Sequence, residues 1–152
     1  VDGIVLPKLG HVGLVVWDIE QYTTNLTDVL GMNKFEIYDF NATQARVRGK
    51  EIEKFCLKIG IGCFSNGVKL ELIEPIMDGG FFTEHLKIHG NGFNHLAFYV
   101  EDLQKWRTYF EGRGFPIVFE TIVFDEIRGK RHVFYTKLNG LNYYYEFAHI
   151  FK

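Results

Sequence analysis

"GFNHLAFYVEDLQKW", residues 92–106, puts an ionisable ring, His95, near the head of an apolar run that breaks at an Asp-Leu step. Strand alternation sends Leu96, Phe98 and Val100 to one face and His95, Ala97 and Tyr99 to the other. The first face suits packing beneath a helix. The second holds a histidine among small and aromatic neighbours, which a purely structural strand rarely needs. Asp102 then marks a helix start, able to accept hydrogen bonds from free backbone N–H groups, and Leu103, Trp106 and Phe110 follow at helical spacing.

The same arrangement occurs near the N-terminus. "HVGLVVWDIEQYTTNLTDVLG" at 11–31 aligns with "HLAFYVEDLQKWRTYFEGRG" at 95–114, at an offset of 84 that matches His11 with His95, Val16 with Val100, Asp18 with Asp102 and Tyr22 with Trp106. "KLELIEP" around Glu71 likewise corresponds to "YYEFAH" around Glu146. Such a repeat predicts two copies of one unit, each a strand, a helix and three strands. The first helix is expected over 19–30, with Ile19, Tyr22, Leu26, Val29 and Leu30 on its apolar face. Further strands are expected near 33–40, 53–64 and 68–74, and near 115–124, 131–138 and 142–149. Gly31 and Gly114 stand where a left-handed C-terminal residue belongs. The fold class is α+β: paired βαβββ modules, 8–76 and 92–151, within a single domain spanning 1–152, joined by a linker at 77–91 with one short helix.

Alternation places His11, Glu71, His95 and Glu146 on one face, away from the helices, with Gly13, Ala97 and Ala148 leaving space above it. Two carboxylates brought together repel, and desolvation adds to the cost. A divalent cation relieves both, and neutral imidazole with ionised carboxylate suits Zn²⁺, Co²⁺, Ni²⁺, Mn²⁺ or Fe²⁺. In an octahedral shell four protein ligands leave two positions for water or substrate oxygens, a chelating site rather than a closed structural one.

The chain has 152 residues, 47% hydrophobic and 24% charged, with a net charge of −2, which speaks for a globular protein and against a nucleic-acid partner. No apolar run approaches the ~20 residues of a membrane-spanning helix. The start, "VDGIVLPKLG", lacks a basic segment followed by a long apolar one, so a cytoplasmic location is expected. Cys56 and Cys63, an odd seven apart on one expected strand, point to opposite faces and read as reduced thiols. The 16% aromatic content suits either a Phe-rich core or a cleft walled by rings.

At "HVGLVVWDIEQYTTNLTDVLG", "VKLELIEP", "GFNHLAFYVEDL" and "YYYEFA" the chain resembles the vicinal oxygen chelate superfamily, which includes glyoxalase I, methylmalonyl-CoA epimerase, extradiol dioxygenases, and fosfomycin and bleomycin resistance proteins. "VKLELIEP" followed by "FFTEHLKIHGNGFNHLAF" is most similar to the branch containing methylmalonyl-CoA epimerase and its glyoxalase-like relatives. The resemblance implies sheets curled around a metal-binding cavity, one divalent metal ion held by His11, Glu71, His95 and Glu146, a small-molecule substrate and a homodimer. It implies an isomerase, epimerase or lyase that moves a proton through an enolate-like intermediate, with Glu146 and Glu71 each both ligand and base. The alternatives are an Fe(II)-dependent extradiol-type dioxygenase and a non-catalytic small-molecule (antibiotic) binding protein. "NYYYEFAH" departs from the smaller aliphatic residues typical of the epimerase, and no glutathione site can be assigned.

Substrate contacts are expected from Tyr99, Tyr144, Arg131 and His132, and the resemblance to the epimerases implies a further base on the first module's third strand, for which register leaves Glu53 or Lys54 open. The "RGK" loops at 48–50 and 128–130, with Arg46 and Arg131 nearby, suit either turns or the binding of a phosphate or carboxylate tail. His85 and His89, four apart in the linker helix with no third ligand, read as surface residues, and Asn25 heads a sequon inside the expected first helix.

Overall fold

The computed structural model describes residues 4–125 and 129–151. β1 (His11–Val15) leads into α1 (Ile19–Leu30), followed by β2 (Glu36–Asn41), β3 (Gln44–Val47), β4 (Lys50–Glu51), β5 (Cys56–Cys63) and β6 (Lys69–Met77). α2 (Phe81–His89) precedes β7 (Gly92–Tyr99), α3 (Leu103–Gly112), β8 (Ile117–Asp125), β9 (Gly129–Thr136) and β10 (Tyr144–Ile150). Asp18 accepts from the Gln21 N–H and Asp102 from the Lys105 N–H, so the two long helices start alike. Gly31 and Gly114 follow them with φ of 71° and 80°, the left-handed conformation that glycine adopts without a Cβ penalty.

The strands form one mixed sheet in the order β2-β5-β6-β1-β7-β10-β9-β8-β3-β4. β6 is parallel to β1, and β10 to β7, so the halves repeat the same topology; β1 and β7 join them by antiparallel pairing. The fold is therefore α+β, as expected, but the halves share a continuous sheet that curls around an interior.

The sequence reading has three strands after α1, whereas the structure has five. Between β2 and β5 the chain forms a hairpin, β3 and β4, whose turn residues Arg48 and Gly49 have φ of 49° and 80°. β3 leaves its own half and pairs with β8 of the other, and the Thr121 hydroxyl donates to the Gln44 carbonyl at 2.7 Å. The backbone groups of β8 are thereby paired rather than left at an open edge. Cys56 and Cys63 are both free thiols.

Three apolar clusters divide the interior. Val16, Ile19, Phe35, Leu70 and Leu72 pack α1 on the outer face of β1 and β6. Phe98, Leu103, Trp106, Phe134 and Phe147 do the same for α3 on β7, β9 and β10. The third cluster fills the concave side, where Phe81, Phe82 and Leu86 of α2 meet Phe40, Phe55, Phe119 and Tyr135. Two expectations are corrected here. The space above the small residues is largely taken up by these rings, and Val29 and Leu30 are exposed, because α1 has passed its contact with the sheet by its last turn. Phe147 is fully buried and stacks on Trp106 with ring centroids 4.9 Å apart. Phe147→Ala is expected to cost about 3–5 kcal/mol of unfolding free energy, measured by urea denaturation.

Candidate metal centre

Strand register builds the site. Across the sheet, Gly13 of β1 lies between Glu71 of β6 and His95 of β7, while Ala97 of β7 lies between His11 of β1 and Glu146 of β10. In both rows a small residue separates an imidazole from a carboxylate, so the larger side chains can lean together over it. A Cβ on Gly13 would overlap the His95 ring. All four side chains are buried, and their donor atoms lie within 4.8 Å of one another. His11 Nε2 is 3.1 Å from His95 Nε2 and 3.1 Å from Glu146 Oε2. Glu71 Oε1 lies 3.5 Å from His11 Nε2 and 3.4 Å from His95 Nε2.

This donor set fits a divalent cation. Two imidazole nitrogens face each other at hydrogen-bond distance beside two carboxylates, with little water to screen them. Burial pushes the Glu146 carboxyl up and Glu71 pushes it the same way, yet the attraction and hydrogen bond of His11, with a smaller pull from His95, bring it below the usual carboxylate range. A cation placed among the four donor atoms would act on Glu146 in the same direction.

Both Nδ1 atoms have partners behind the cluster. His11 Nδ1 is 2.9 Å from the Tyr99 hydroxyl, and His95 Nδ1 is 2.8 Å from Asn94 Oδ1. Residues i and i+1 of a regular strand point apart. A register shift brings Asn94 round, because Gly13 pairs with His95 while the next residue, Leu14, pairs with Phe93. Asn94 is fully buried, and its Nδ2 has no hydrogen-bond partner, a state that costs about 1–3 kcal/mol.

The cluster opens into a cavity of about 30 Å³ lined by His11, Glu71, Glu146, Tyr99, Tyr135 and Arg131 among the rings of Phe40, Phe55, Phe82 and Phe119. One water needs about 10–15 Å³, so this volume suits an ion with one or two small ligands. Arg131 is buried, with its guanidinium 5.9 Å from the Phe40 ring centroid. The Tyr135 hydroxyl lies 3.5 Å from His95 Nε2. Sequence reading missed Tyr135, although alternation through "RHVFYT" aligns it with Arg131 and Val133.

Other candidates fall elsewhere. His132 alternates with Arg131 and Val133, so it faces an outer groove beside Glu51, Glu53 and Glu120 rather than the cavity. There burial, then Arg107 and His149, lower its pKa. Glu53 shares that groove and Lys54 is exposed; neither lines the cavity. Tyr144 shares the concave face but stands under α2, 5.0 Å from the Phe81 ring and 6.1 Å from that of His85, outside the cavity lining. Burial raises its pKa. His85, expected at the surface, is buried and donates from Nε2 to the Phe93 carbonyl at 3.0 Å, whereas His89 is exposed. Arg46 pairs with Glu51 and Glu120 and Arg48 with Glu84, so these two cations tie the β3–β4 hairpin to β8 and α2, while Arg107 pairs with Glu111 and Glu120. Arg128 of the second "RGK" lies outside the described residues. No helix among the described residues is long and apolar enough to cross a membrane.

The fold is similar to that of methylmalonyl-CoA epimerase from Mycobacterium tuberculosis, at 17% identity and a TM-score of 0.67 over 97% of this chain and 90% of that one. It is similar to Streptomyces coelicolor methylmalonyl-CoA epimerase in complex with 2-nitronate-propionyl-CoA, at 15% identity and 0.67 over 97% and 100%. It also resembles a mutant 4-hydroxymandelate synthase from Streptomyces coelicolor, at 17% and 0.66 over 96% of this chain and 49% of that one. At these identities the likeness is one of fold. No curated protein matches the chain in sequence. The profile of the glyoxalase/bleomycin resistance protein/dioxygenase superfamily matches residues 10–135, most of its length, and the chain belongs to that superfamily.

Proposed function

We propose that this protein is a metal-dependent isomerase, epimerase or lyase that binds one divalent ion at His11, Glu71, His95 and Glu146 and transfers a proton beside a substrate carbonyl. The observation that carries the reading is the pair of buried carboxylates reaching the two histidines from opposite sides, Glu71 from β6 and Glu146 from β10. A divalent ion there supplies a Lewis acid that polarises a substrate oxygen and acidifies the adjacent C–H. Glu146 acts as the base, since its carboxylate lies against His11 and lines the cavity. In an epimerisation Glu71, entering as the acid, delivers its own proton to the opposite face while Glu146 keeps the one it removed; in an isomerisation Glu146 itself returns that proton to the neighbouring carbon. The Tyr99 and Tyr135 hydroxyls and the Arg131 guanidinium supply polar groups along the cavity wall for substrate oxygens. The epimerase neighbours support proton transfer as the chemistry. The second carboxylate favours it over a two-histidine, one-carboxylate oxygenase site.

Protein purified without chelators is expected to carry close to one divalent ion per chain by elemental analysis; absence of metal, with no uptake of Zn²⁺, Co²⁺, Ni²⁺, Mn²⁺ or Fe²⁺, overturns the reading. Glu146→Gln should slow α-carbon deuterium exchange of 2-oxygenated acids or thioesters in D₂O by roughly 10²–10⁴-fold, and exchange at the wild-type rate removes Glu146 as the base. Gly13→Ala should displace the His95 ring and reduce metal stoichiometry while the far-UV circular dichroism of the wild type is kept.

A further inference from the structure

We infer that Asn94 is a positioning residue of the metal centre, fixing the tautomer and ring plane of His95 so that Nε2 presents its lone pair to the cation. The inference rests on the metal-binding reading above. An amide oxygen only accepts, so its 2.8 Å contact with His95 Nδ1 places the proton on Nδ1 and leaves Nε2 unprotonated. Nε2 is the atom that faces His11 Nε2 and Glu71 Oε1. The phenol of Tyr99 either donates or accepts, so the equivalent contact on His11 does not by itself select a tautomer.

Three features converge on this role. The register shift at Gly13 and Leu14 turns Asn94 onto the face of its neighbour, where a regular strand would hold it away. Gly13 leaves the room in which the oriented ring lies. The buried Nδ2 makes no hydrogen bond, so the side chain serves through its oxygen while its other end weakens the fold. An amide also orients the imidazole without adding a third negative charge beside Glu71 and Glu146.

The test uses the full chain with ¹⁵N-labelled histidine, freed of metal, in long-range ¹H–¹⁵N spectra at pH 8, with His95 assigned by difference from His95→Gln. Wild-type His95 is expected to carry its proton on Nδ1, and Asn94→Leu to lose that preference. Co²⁺ titration of Asn94→Leu should give a Kd about 10–100-fold weaker than wild type, with the urea midpoint of the metal-free protein unchanged or raised. A residue that merely supports the fold would shift both measurements in the unfavourable direction. Asn94→Asp, which keeps the acceptor, should bind Co²⁺ at least as tightly as wild type. The inference is overturned by Nε2 protonation of wild-type His95, by equal Co²⁺ affinity of Asn94→Leu, or by an Asn94→Asp variant as weak as Asn94→Leu. Wild-type protein that binds no Co²⁺ overturns the metal reading instead, and the metal-free spectra then decide whether Asn94 sets the tautomer.

Discussion

The structure depends on the seam between β1 and β7, where Gly13 faces His95 and Ala97 faces His11. Side chains of a sheet stand roughly perpendicular to it, and residues in one row two strands apart start about 10 Å from each other. Donor atoms reach each other from such positions by leaning over the residue between them, which must be small. Gly13 and Ala97 meet that requirement, one for each half. The seam is also one of the two places where the halves pair, with β3 and β8 the other, so an interaction that joins them also assembles the cluster.

Curling of the sheet sets the chemistry of that cluster. Phe40 of β2 and Phe55, just before β5, on one flank meet rings from β8 and β9 on the other, and α2 adds Phe82 above them. The four titratable side chains are thereby shut into a space that admits little water. In such surroundings an unpaired charge is costly and a paired one acts strongly on whatever lies near it. The helices take no part in the cavity's polar lining; α1 and α3 pack on the outer face, in apolar clusters of their own. Among the rings that line the cavity, Phe82 on the linker helix and Phe55, just before β5, belong to no strand.

Much of this was legible because alternation and repetition are local signals. The match of His11 with His95, and of Glu71 with Glu146, depends on periods of two along strands, and the caps of α1 and α3 depend on single aspartates. The hairpin of β3 and β4 was hidden for a different reason. Its strands are four and two residues long, and their partner β8 lies in the other half, so no periodicity in residues 44–51 announces the crossing. Alternation puts Tyr144 on the face of Glu146, and the basic loop puts His132 near the cavity, but the position of α2 above the one and the side-chain direction of the other keep both out of its lining. Asn94 was out of reach for strict alternation, since a bulge reverses the face of a single residue and leaves the apolar pattern around it intact.

The repeat is faithful in its ligands and unfaithful behind them. At the offset of 84, Asn94 corresponds to Gly10 and Tyr99 to Val15. A Cβ at Gly10 would overlap the Tyr99 ring, so the glycine that replaces asparagine in the first copy makes room for the tyrosine of the second. The Nδ1 of His95 is met by its own neighbour, and that of His11 by a residue from the opposite half. These two solutions exclude each other sterically at position 10. The carboxylates inherit the asymmetry: Glu71 is nearly equidistant from both imidazoles, whereas Glu146 lies against His11. A duplicated fold places two equivalent carboxylates, and their distances to the histidines make them unequal. The unequal residues behind the histidines are where this chain distinguishes them.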